Sequence, residues 1–179
     1  MPPSTAILET ERLRLRPRVA ADLEACLAMD MDPDVGRYLY PHGRPTKAER
    51  RAVLERQMAG DWPPLGGVWV AEWRERPGYL GWCGLFPLQD SGLIEIGYRY
   101  LPTTWGQGVA SEAAARVLAH GFQDLKLDEV VAVTHPENAA SQRVLAKLGL
   151  NREGLRFFYG LDLAFFRLAR ADYQGVSAG

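Results

Sequence analysis

The sequence is poor in the residues that build disulfide-linked and metal-binding proteins. It has only two cysteines, Cys26 and Cys83, which lie far apart in apolar neighbourhoods and form no CxxC pair. We therefore expect two buried free thiols in a reducing compartment. The three histidines, His42, His120 and His135, show no ligand spacing, so the sequence predicts no metal site.

The sequence also lacks an excess of either charge and a long apolar run. Its 21 basic and 22 acidic residues leave a formal net charge of −1. Without a basic field, nucleic acid and anionic membranes are not expected as partners. No apolar run approaches the length of a membrane span, and residues 1–5 lack the regions of a signal peptide. We expect a cytoplasmic protein with no nucleic-acid or membrane partner.

Three common catalytic motifs are missing. The sequence contains no GxxxxGK[ST] phosphate loop, no GxGxxG dinucleotide motif and no GxSxG nucleophile elbow. Gly106-Gln107-Gly108 resembles the start of GxGxxG, but no βαβ unit at the N-terminus carries it. These absences argue against a nucleotide hydrolase, a dinucleotide-binding enzyme and a serine hydrolase.

What is present indicates one globular domain over residues 1–179. The chain has 47% hydrophobic residues, and its length is enough to bury roughly two thirds of the unfolded surface. Near the N-terminus, Leu13 and Leu15 alternate with four arginines at positions 12, 14, 16 and 18. The arginines are interpreted as the solvated side of an edge strand, with binding of a phosphate or an acidic substrate as the alternative.

Hydrophobic periodicity and turn residues predict the order β-α-α-β-β-β-α-β-α-β-β. The predicted helices are Asp22–Met31, Lys47–Met58, Val109–Asp124 and Ala139–Leu148. The predicted strands are Arg12–Arg18, Val68–Trp73, Tyr79–Phe86, Leu93–Leu101, Glu129–Thr134, Asn151–Tyr159 and Leu163–Ala169. This order predicts a single α/β or α+β domain with a mixed sheet.

The loop 34–45 is rich in tyrosine, histidine and arginine. Such a loop either lines a substrate pocket or packs over the core as a connector, and the sequence leaves both interpretations open.

The stretch Trp105–Glu112 lies between a predicted strand and a predicted helix. Its glycines, Gly106 and Gly108, permit a tight turn that exposes consecutive backbone N–H groups, and the helix adds a partial positive charge. The stretch is therefore a candidate phosphate site, with an ordinary glycine turn as the alternative.

Two segments resemble a known family. Glu95–Pro102 followed by Trp105–Ala113 resembles the acetyl-CoA motif of the GCN5-related N-acetyltransferase (GNAT) superfamily, and more narrowly its RimJ/RimL-type branch. Asn138–Leu150 is similar to the NxxSxxVxxKxGF element of that branch, with Leu150 where Phe is usual. The superfamily pattern [Q/R]xxGx[G/A] is met by Gly108 and Ala110, with Trp105 at its first position.

This resemblance implies a GNAT-like domain with a mixed, mostly antiparallel sheet flanked by helices. The sheet would splay between the strands at 93–101 and 129–134, with a bulge in the first of them. Acetyl-CoA would be the acetyl donor, without a metal. The acceptor would be a primary amine on a small molecule or at a protein N-terminus, and a homodimer is compatible with the family.

The resemblance also assigns cofactor-binding residues. Backbone groups of one strand would hold the pantetheine arm, and backbone N–H groups of the glycine turn would hold the pyrophosphate. The predicted cofactor-binding residues are Tyr98, Arg99, Tyr100, Trp105, Gly106, Gln107, Gly108, Val109, Ala110, Ser111, Asn138 and Ser141.

Glu95 and Ser141 are the predicted catalytic residues. Glu95 would accept a proton from the amine, and Ser141 would stabilise or protonate the departing thiolate. The alternatives are an exposed strand carboxylate or a structural ion-pair partner for Glu95, and a helix cap at Asn138 with a first-turn residue at Ser141. Tyr159 is a further candidate acid, and Glu112 is interpreted as a first-turn residue that complements the helix dipole.

A non-catalytic acyl-CoA sensor of the same fold is the alternative to an enzyme, because a fold does not determine a function. Residues 34–66 and the final hairpin are expected to shape the acceptor pocket, but they match no pattern that identifies the acceptor.

Overall fold

The computed structural model describes residues 6–40, 43–60 and 67–175. Four helices are present in these residues: α1 Leu23–Met31, α2 Lys47–Met58, α3 Val109–Ala119 and α4 Ala139–Lys147. The eight strands are β1 Leu8–Glu9, β2 Leu13–Pro17, β3 Gly67–Trp73, β4 Gly81–Pro87, β5 Ile94–Tyr100, β6 Glu129–Thr134, β7 Asn151–Phe158 and β8 Leu161–Ala169. All predicted elements form, and the short β1 is an addition. A π turn over His120–Asp124 continues α3.

Some of the predictions lie outside the described residues. They concern residues 1–5, Pro41 and His42 of the aromatic loop, and residues 61–66 of the segment expected to shape the acceptor pocket. Within the described ranges, no helix is long and apolar enough to cross a bilayer. No group of three or more His, Cys, Asp or Glu side chains in those ranges is placed to hold a metal ion.

The strands form one sheet in the order β1-β2-β3-β4-β5-β6-β8-β7. Neighbouring strands are antiparallel except for β5 and β6, which are parallel. β5 pairs with β6 only at Glu95 and Val131, whereas its register with β4 runs from Gly81 opposite Tyr100 to Pro87 opposite Ile94. The expected splay is therefore confirmed. The bulge that the family resemblance implies for this strand is not seen on its β4 side, where the register contains no shift.

Helices cover both faces of the sheet. On one face α3 packs through small residues such as Ala113 and Ala114, which are fully buried and let the helix approach the strands closely. Leu13 and Leu15 join that core, as their alternation with the arginines predicts. On the other face Met29 of α1 packs against Trp82 and Phe86 of β4.

Polar groups at the edges of the core are paired. Arg16 of β2 forms ion pairs with Asp22 at 2.7 Å and with Glu72 of β3 at 3.1 Å, which is a structural role. The prediction of an edge strand is wrong for β2, because the short β1 pairs outside it. Cys26 and Cys83 are buried free cysteines, as predicted. The Thr46 side chain accepts a hydrogen bond from the Glu49 backbone, which forms the predicted capping box at the start of α2.

Candidate functional site

The turn before α3 has the backbone conformation that a phosphate cradle requires. Gly106 and Gly108 have φ angles of +75° and +77°, in the left-handed region that favours glycine. Gly108 is the N-cap of α3 and has no side chain to accept the first N–H groups of the helix. Those groups have no partner within a helix, and space around Gly106 is open. The turn can therefore donate several backbone hydrogen bonds to an anion.

Side chains hold this turn from outside. The indole Nε1 of Trp105 donates to the carbonyl of Tyr100 at 3.0 Å, and the Gln107 side chain donates to the Thr103 carbonyl at 2.8 Å. The Trp105 side chain is 51% exposed, so one face of its ring remains open at the turn. Arg12 donates to the Gln107 carbonyl at 3.0 Å. These contacts leave the backbone N–H groups of the turn available.

Glu112 anchors the first turn of α3 to the β1–β2 connection. Its buried carboxylate accepts hydrogen bonds from the Thr10 hydroxyl, from the Arg12 backbone N–H at 3.1 Å and from the Arg12 Nε at 2.7 Å. Burial by itself would raise the pKa of Glu112, but these bonds and the Arg12 charge hold it below its usual range. Glu112 is thus a buried ion-pair partner, a role that extends the predicted effect on the helix dipole.

The gap between β5 and β6 provides unpaired backbone groups. Beyond Glu95, β5 has no register partner in β6, so the edge of Gly97–Tyr100 that faces the gap is free to pair with an extended ligand. The predicted pantetheine residues Tyr98, Arg99 and Tyr100 all lie on this segment.

Tyr98 crosses the gap with its side chain and reaches α4. Its hydroxyl lies 3.0 Å from the Ser141 Oγ and 3.2 Å from the Ser141 carbonyl oxygen. Burial raises the pKa of Tyr98 well above that of a free tyrosine, so the phenol stays protonated. The side-chain contact with Ser141 has no sequence signal, because the two residues lie on different elements.

Asn138 has the structural role that its sequence position predicts. Its Oδ1 accepts a hydrogen bond from the Ser141 N–H at 3.1 Å and caps α4. The side chain is partly exposed, and this bond fixes the orientation of its amide group. The cap also fixes the first turn of α4, where Ser141 faces Tyr98.

Glu95 is the most unusual carboxylate of the site. Its residue is 6% exposed, and its Oε2 accepts a hydrogen bond from the Tyr159 hydroxyl at 2.8 Å. Burial raises the pKa of Glu95 to about 7, although hydrogen bonds from Tyr159 and from the Val133 backbone oppose the shift. The alternative of an exposed strand carboxylate does not apply, because Glu95 lies beside β6 under the β7–β8 turn.

The side chain of Arg99 contacts α1. Its guanidinium forms an ion pair with Asp30 of α1 and lies 5.5 Å from the ring centroid of Trp82. Asp30 is 1% exposed and also pairs with Arg50 of α2 at 2.5 Å. This network joins α1, α2 and β5. A sequence signal for it existed, since Asp30 falls on the inward stripe of α1 with Cys26.

The aromatic loop packs on neighbouring elements. Arg44 donates to the carbonyls of Met31 and Asp32 at 3.2 and 2.5 Å, which fixes the loop as a connector. Tyr38 of the same loop stacks on His135, just beyond β6, with ring centroids 5.2 Å apart. The described part of the loop therefore has the contacts of a packed connector, and its role at a substrate pocket stays a prediction.

Comparison with known proteins identifies the family. The profile of the acetyltransferase (GNAT) domain family matches residues 12–151. The uncharacterized N-acetyltransferase YoaA of Bacillus subtilis (strain 168) is 34% identical over 151 residues, which are 83% of this chain and 85% of YoaA. FsC-acetyl coenzyme A-N(2)-transacetylase of Aspergillus fumigatus is 31% identical over 153 residues, which are 80% of this chain and 64% of that protein.

A solved structure agrees with these sequence relatives. The crystal structure of the acetyltransferase (GNAT family) from Bacillus anthracis superposes with a TM-score of 0.77 at 26% identity, covering 93% of this chain and 99% of that one. The superfamily expected from the two sequence segments is thereby confirmed. The chain belongs to the GNAT family and is an acetyl-CoA-dependent acetyltransferase.

Proposed function

We propose that this protein transfers an acetyl group from acetyl-CoA directly to a primary amine, with Glu95 as the general base. The observation that supports this role most strongly is the buried Glu95 carboxylate, which lies beside the gap and has its pKa raised to about 7. A base of this pKa is matched to proton transfer near neutral pH.

The donor side of the gap fits acetyl-CoA. The left-handed Gly106 and Gly108 and the uncapped N–H groups at the start of α3 suit a pyrophosphate. The unpaired edge of Tyr98–Tyr100 suits the amide groups of a pantetheine arm. Asn138 and Ser141 lie at the start of α4, where Ser141 approaches β5 through Tyr98. When bound, acetyl-CoA supplies an acyl carbon activated as a thioester.

Glu95 would remove the proton that the amine must lose. A new C–N bond forms as the amine attacks the acyl carbon, and the C–S bond breaks. The amine proton passes to the Glu95 carboxylate, directly or through one water. A protein N-terminal amine, with a pKa near about 8, is easier to deprotonate than a lysine-like amine with a pKa near about 10.

Ser141 would stabilise the thiolate as CoA leaves. Tyr98 can donate to the Ser141 Oγ, and the serine O–H is then directed away from the phenol. The Ser141 hydroxyl donates a hydrogen bond to the departing thiolate, and the thiolate then takes its proton from solvent, because the raised pKa of Tyr98 keeps the phenol protonated. Tyr98 thus joins the predicted catalytic pair as an orienting group. In this scheme the Tyr159 hydroxyl donates a hydrogen bond to Glu95 and does not protonate the sulfur.

The acceptor is a primary amine, either on a small molecule or at a protein N-terminus. One relative carries the name of an acetyl-CoA N(2)-transacetylase, which is consistent with a small-molecule amine. Another relative, 24% identical over 103 residues, carries the name of a ribosomal N-acetyltransferase, which is consistent with a protein amine. Small-molecule amines and peptides with free N-termini are therefore both needed as acceptors in the assay.

The experiment is a thiol-release assay with acetyl-CoA and a panel of polyamines, aminoglycosides and peptides with free N-termini. We expect amine-dependent thiol release, with acetylation of the product detected by mass spectrometry. The matched variant Glu95→Gln should bind CoA as the wild type does and release thiol far more slowly. Tight CoA binding without turnover on any amine would favour the alternative, a non-catalytic acyl-CoA sensor.

A further inference from the structure

Two residues with rare backbone conformations meet beside Glu95. Three non-glycine residues of the described ranges have left-handed φ angles: Gln89 at 46°, Lys126 at 57° and Tyr159 at 53°. Such angles are uncommon for side chains with a Cβ atom, and those held by the fold often mark functional positions. The Tyr159 backbone N–H donates to the Gln89 Oε1 at 3.1 Å. Two of these three residues therefore contact each other next to the candidate base.

Gln89 belongs to a firmly held turn between β4 and β5. The N–H of the preceding Leu88 donates to the Leu93 carbonyl at 2.9 Å, and the Ser91 hydroxyl donates to the Leu88 carbonyl at 2.6 Å. Leu88 is fully buried. Because the turn is closed by these bonds, the Gln89 side chain starts from a fixed backbone position.

The end of the β7–β8 hairpin packs against the same turn. Phe158 lies in an apolar cluster with Leu88 and Leu93, and its ring stacks on Phe165 at 6.2 Å. The next residue, Tyr159, then meets Gln89 through its backbone and Glu95 through its hydroxyl. One residue of the hairpin thus contacts both ends of the segment Gln89–Glu95.

These contacts join the two parts of a splayed sheet. Gln89 and Glu95 belong to the part formed by β1 to β5, whereas Tyr159 belongs to the part formed by β6, β8 and β7. Because β5 and β6 share one register pair, regular strand pairing cannot hold Tyr159 against Glu95. The position of its hydroxyl depends on how the hairpin end is tied to the β4–β5 turn.

We propose that Gln89 is a positioning residue for acetyl transfer, which holds the Tyr159 hydroxyl on the Glu95 carboxylate by fixing the end of the β7–β8 hairpin. This inference rests on the proposed role of Glu95 as the base. It adds a residue that acts through Tyr159 and that no sequence motif indicates.

The groups that act on the Glu95 carboxylate are few and identified. The Tyr159 hydroxyl approaches from the β7–β8 turn and the Val133 N–H from β6, and both stabilise the ionised form. The residues in register with Glu95 are apolar: Phe86 on β4 and Val131 on β6. Loss of the Tyr159 bond should therefore raise the pKa of Glu95 further and lower the fraction of active base at neutral pH.

The test variant is Gln89→Asn, which should keep the backbone conformation of the turn and lose the side-chain contact with the Tyr159 N–H. Asparagine tolerates left-handed φ angles best among residues with a side chain, and its amide is one methylene shorter. We expect Gln89→Asn to move the acid limb of the kcat/KM pH profile upward by roughly half a unit to one unit, because complete loss of one hydrogen bond to a charged group would move it by about one to two units and Gln89 acts only through Tyr159. The plateau at higher pH should stay close to that of the wild type.

Two further variants make the test specific. Tyr159→Phe removes the hydroxyl directly and should shift the limb in the same direction by at least as much. The double variant should shift no further than Tyr159→Phe alone, because both changes break one link. Lys126→Asn changes the third left-handed residue, which lies outside this contact, and should give the same acid limb of the kcat/KM pH profile as the wild type.

Carbon-13 NMR titration of the Glu95 carboxyl separates this inference from the proposed function. An unshifted Glu95 titration in Gln89→Asn, or shifts that add to those of Tyr159→Phe, would overturn the positioning role. A raised Glu95 pKa in Gln89→Asn supports the positioning role whatever the rate shows. If Glu95→Gln retains the wild-type rate, the proposed function fails, and the NMR titration still decides the inference about Gln89.

Discussion

Two glutamates beside the candidate cofactor site lie in opposite chemical environments. Glu112 is 8% exposed and Glu95 is 6% exposed, and Glu95 lies deeper among protein atoms. Glu112 meets the guanidinium of Arg12 and two further donors, the Thr10 hydroxyl and the Arg12 backbone N–H, and its pKa is lowered. Glu95 meets a phenol and a backbone N–H, and its pKa is raised to about 7.

This difference distinguishes a structural glutamate, Glu112, from a candidate catalytic one, Glu95. A carboxylate that is fully compensated by a cation stays ionised and unreactive, so Glu112 serves to hold the glycine turn on the β1–β2 connection. A buried carboxylate with only neutral donors can exchange a proton near neutral pH. Glu95, whose negative charge is not offset by a cation, is therefore the candidate catalytic residue.

The largest expected effect on the rate comes from replacing the Glu95 carboxylate, which is the proposed acceptor of the amine proton. Glu95→Gln should lower kcat by about 10²- to 10³-fold, because general bases contribute on that scale. The KM for acetyl-CoA should change little. In the wild type kcat/KM should rise with pH through about 7, as the Glu95 carboxyl ionises. Steady-state kinetics across pH measure both effects, and an unchanged rate would remove Glu95 from the mechanism.

A charge placed in the turn that Glu112 supports should prevent donor binding. Gly108→Asp puts an anion where the pyrophosphate is expected and a Cβ atom on a residue with φ of +77°. We expect the affinity for CoA, measured by calorimetry, to fall by about 100-fold or more, since like charges at this distance cost several kcal/mol. Gly60→Asp, at another left-handed glycine with open space around it, should bind CoA as the wild type does.

The two glutamates should have opposite effects on stability. Because the pKa of Glu95 is raised, its contribution to stability is present below the unfolded pKa near about 4.5 and is lost as pH rises through about 7. Glu95→Gln should therefore stabilise the protein by up to about 3 kcal/mol near about pH 8.5 and have little effect near about pH 4.5. Urea unfolding at the two pH values measures this difference.

Glu112→Gln is the matched control for that measurement. The pKa of Glu112 is lowered, so its stabilising contribution is present above the unfolded pKa and is lost as pH falls through the folded pKa. This variant should be less stable than the wild type at the higher pH. If both glutamine variants change stability in the same direction there, the contrast between the two carboxylates is wrong.

The smallest expected effects concern the other side of the gap. Ser141→Ala should lower kcat by about 10-fold, and Tyr98→Phe by less, because the phenol acts through the serine. Thioesters with more acidic thiols should reduce both effects, since their thiolates need less stabilisation to leave. The same deficit with every thiol would assign Ser141 to helix structure alone.

Much of the fold was predictable because its signals are local. Thr46 with Glu49 marked the start of α2, Asn138 marked the start of α4, and the alternation at Leu13 and Leu15 marked β2. The glycine turn was predictable for the same reason, since Gly106 and Gly108 serve a backbone conformation that few other residues adopt. The bulge in β5 was implied only by the family resemblance, and the register of β5 with β4 is continuous.

The chemistry of the site was less predictable because its contacts are distant in sequence. Tyr98 and Ser141 are 43 positions apart, Tyr159 and Glu95 are 64 apart, and Gln89 and Tyr159 are 70 apart. Periodicity and capping act over a few residues and contain no information about such pairs. A burial-dependent pKa cannot be inferred from a strand pattern that leaves Glu95 on either side of the sheet.

The sequence by itself determined the order of elements, the glycine turn before α3 and the family, because these depend on short-range backbone preferences and on two contiguous motifs. Only the tertiary structure decided which carboxylate has a raised pKa and which a lowered one. The splay at Glu95 and the hairpin end at Tyr159 bring a neutral donor, not a cation, to a buried acid. Desolvation without a compensating positive charge is the physical reason that Glu95 and Glu112 differ.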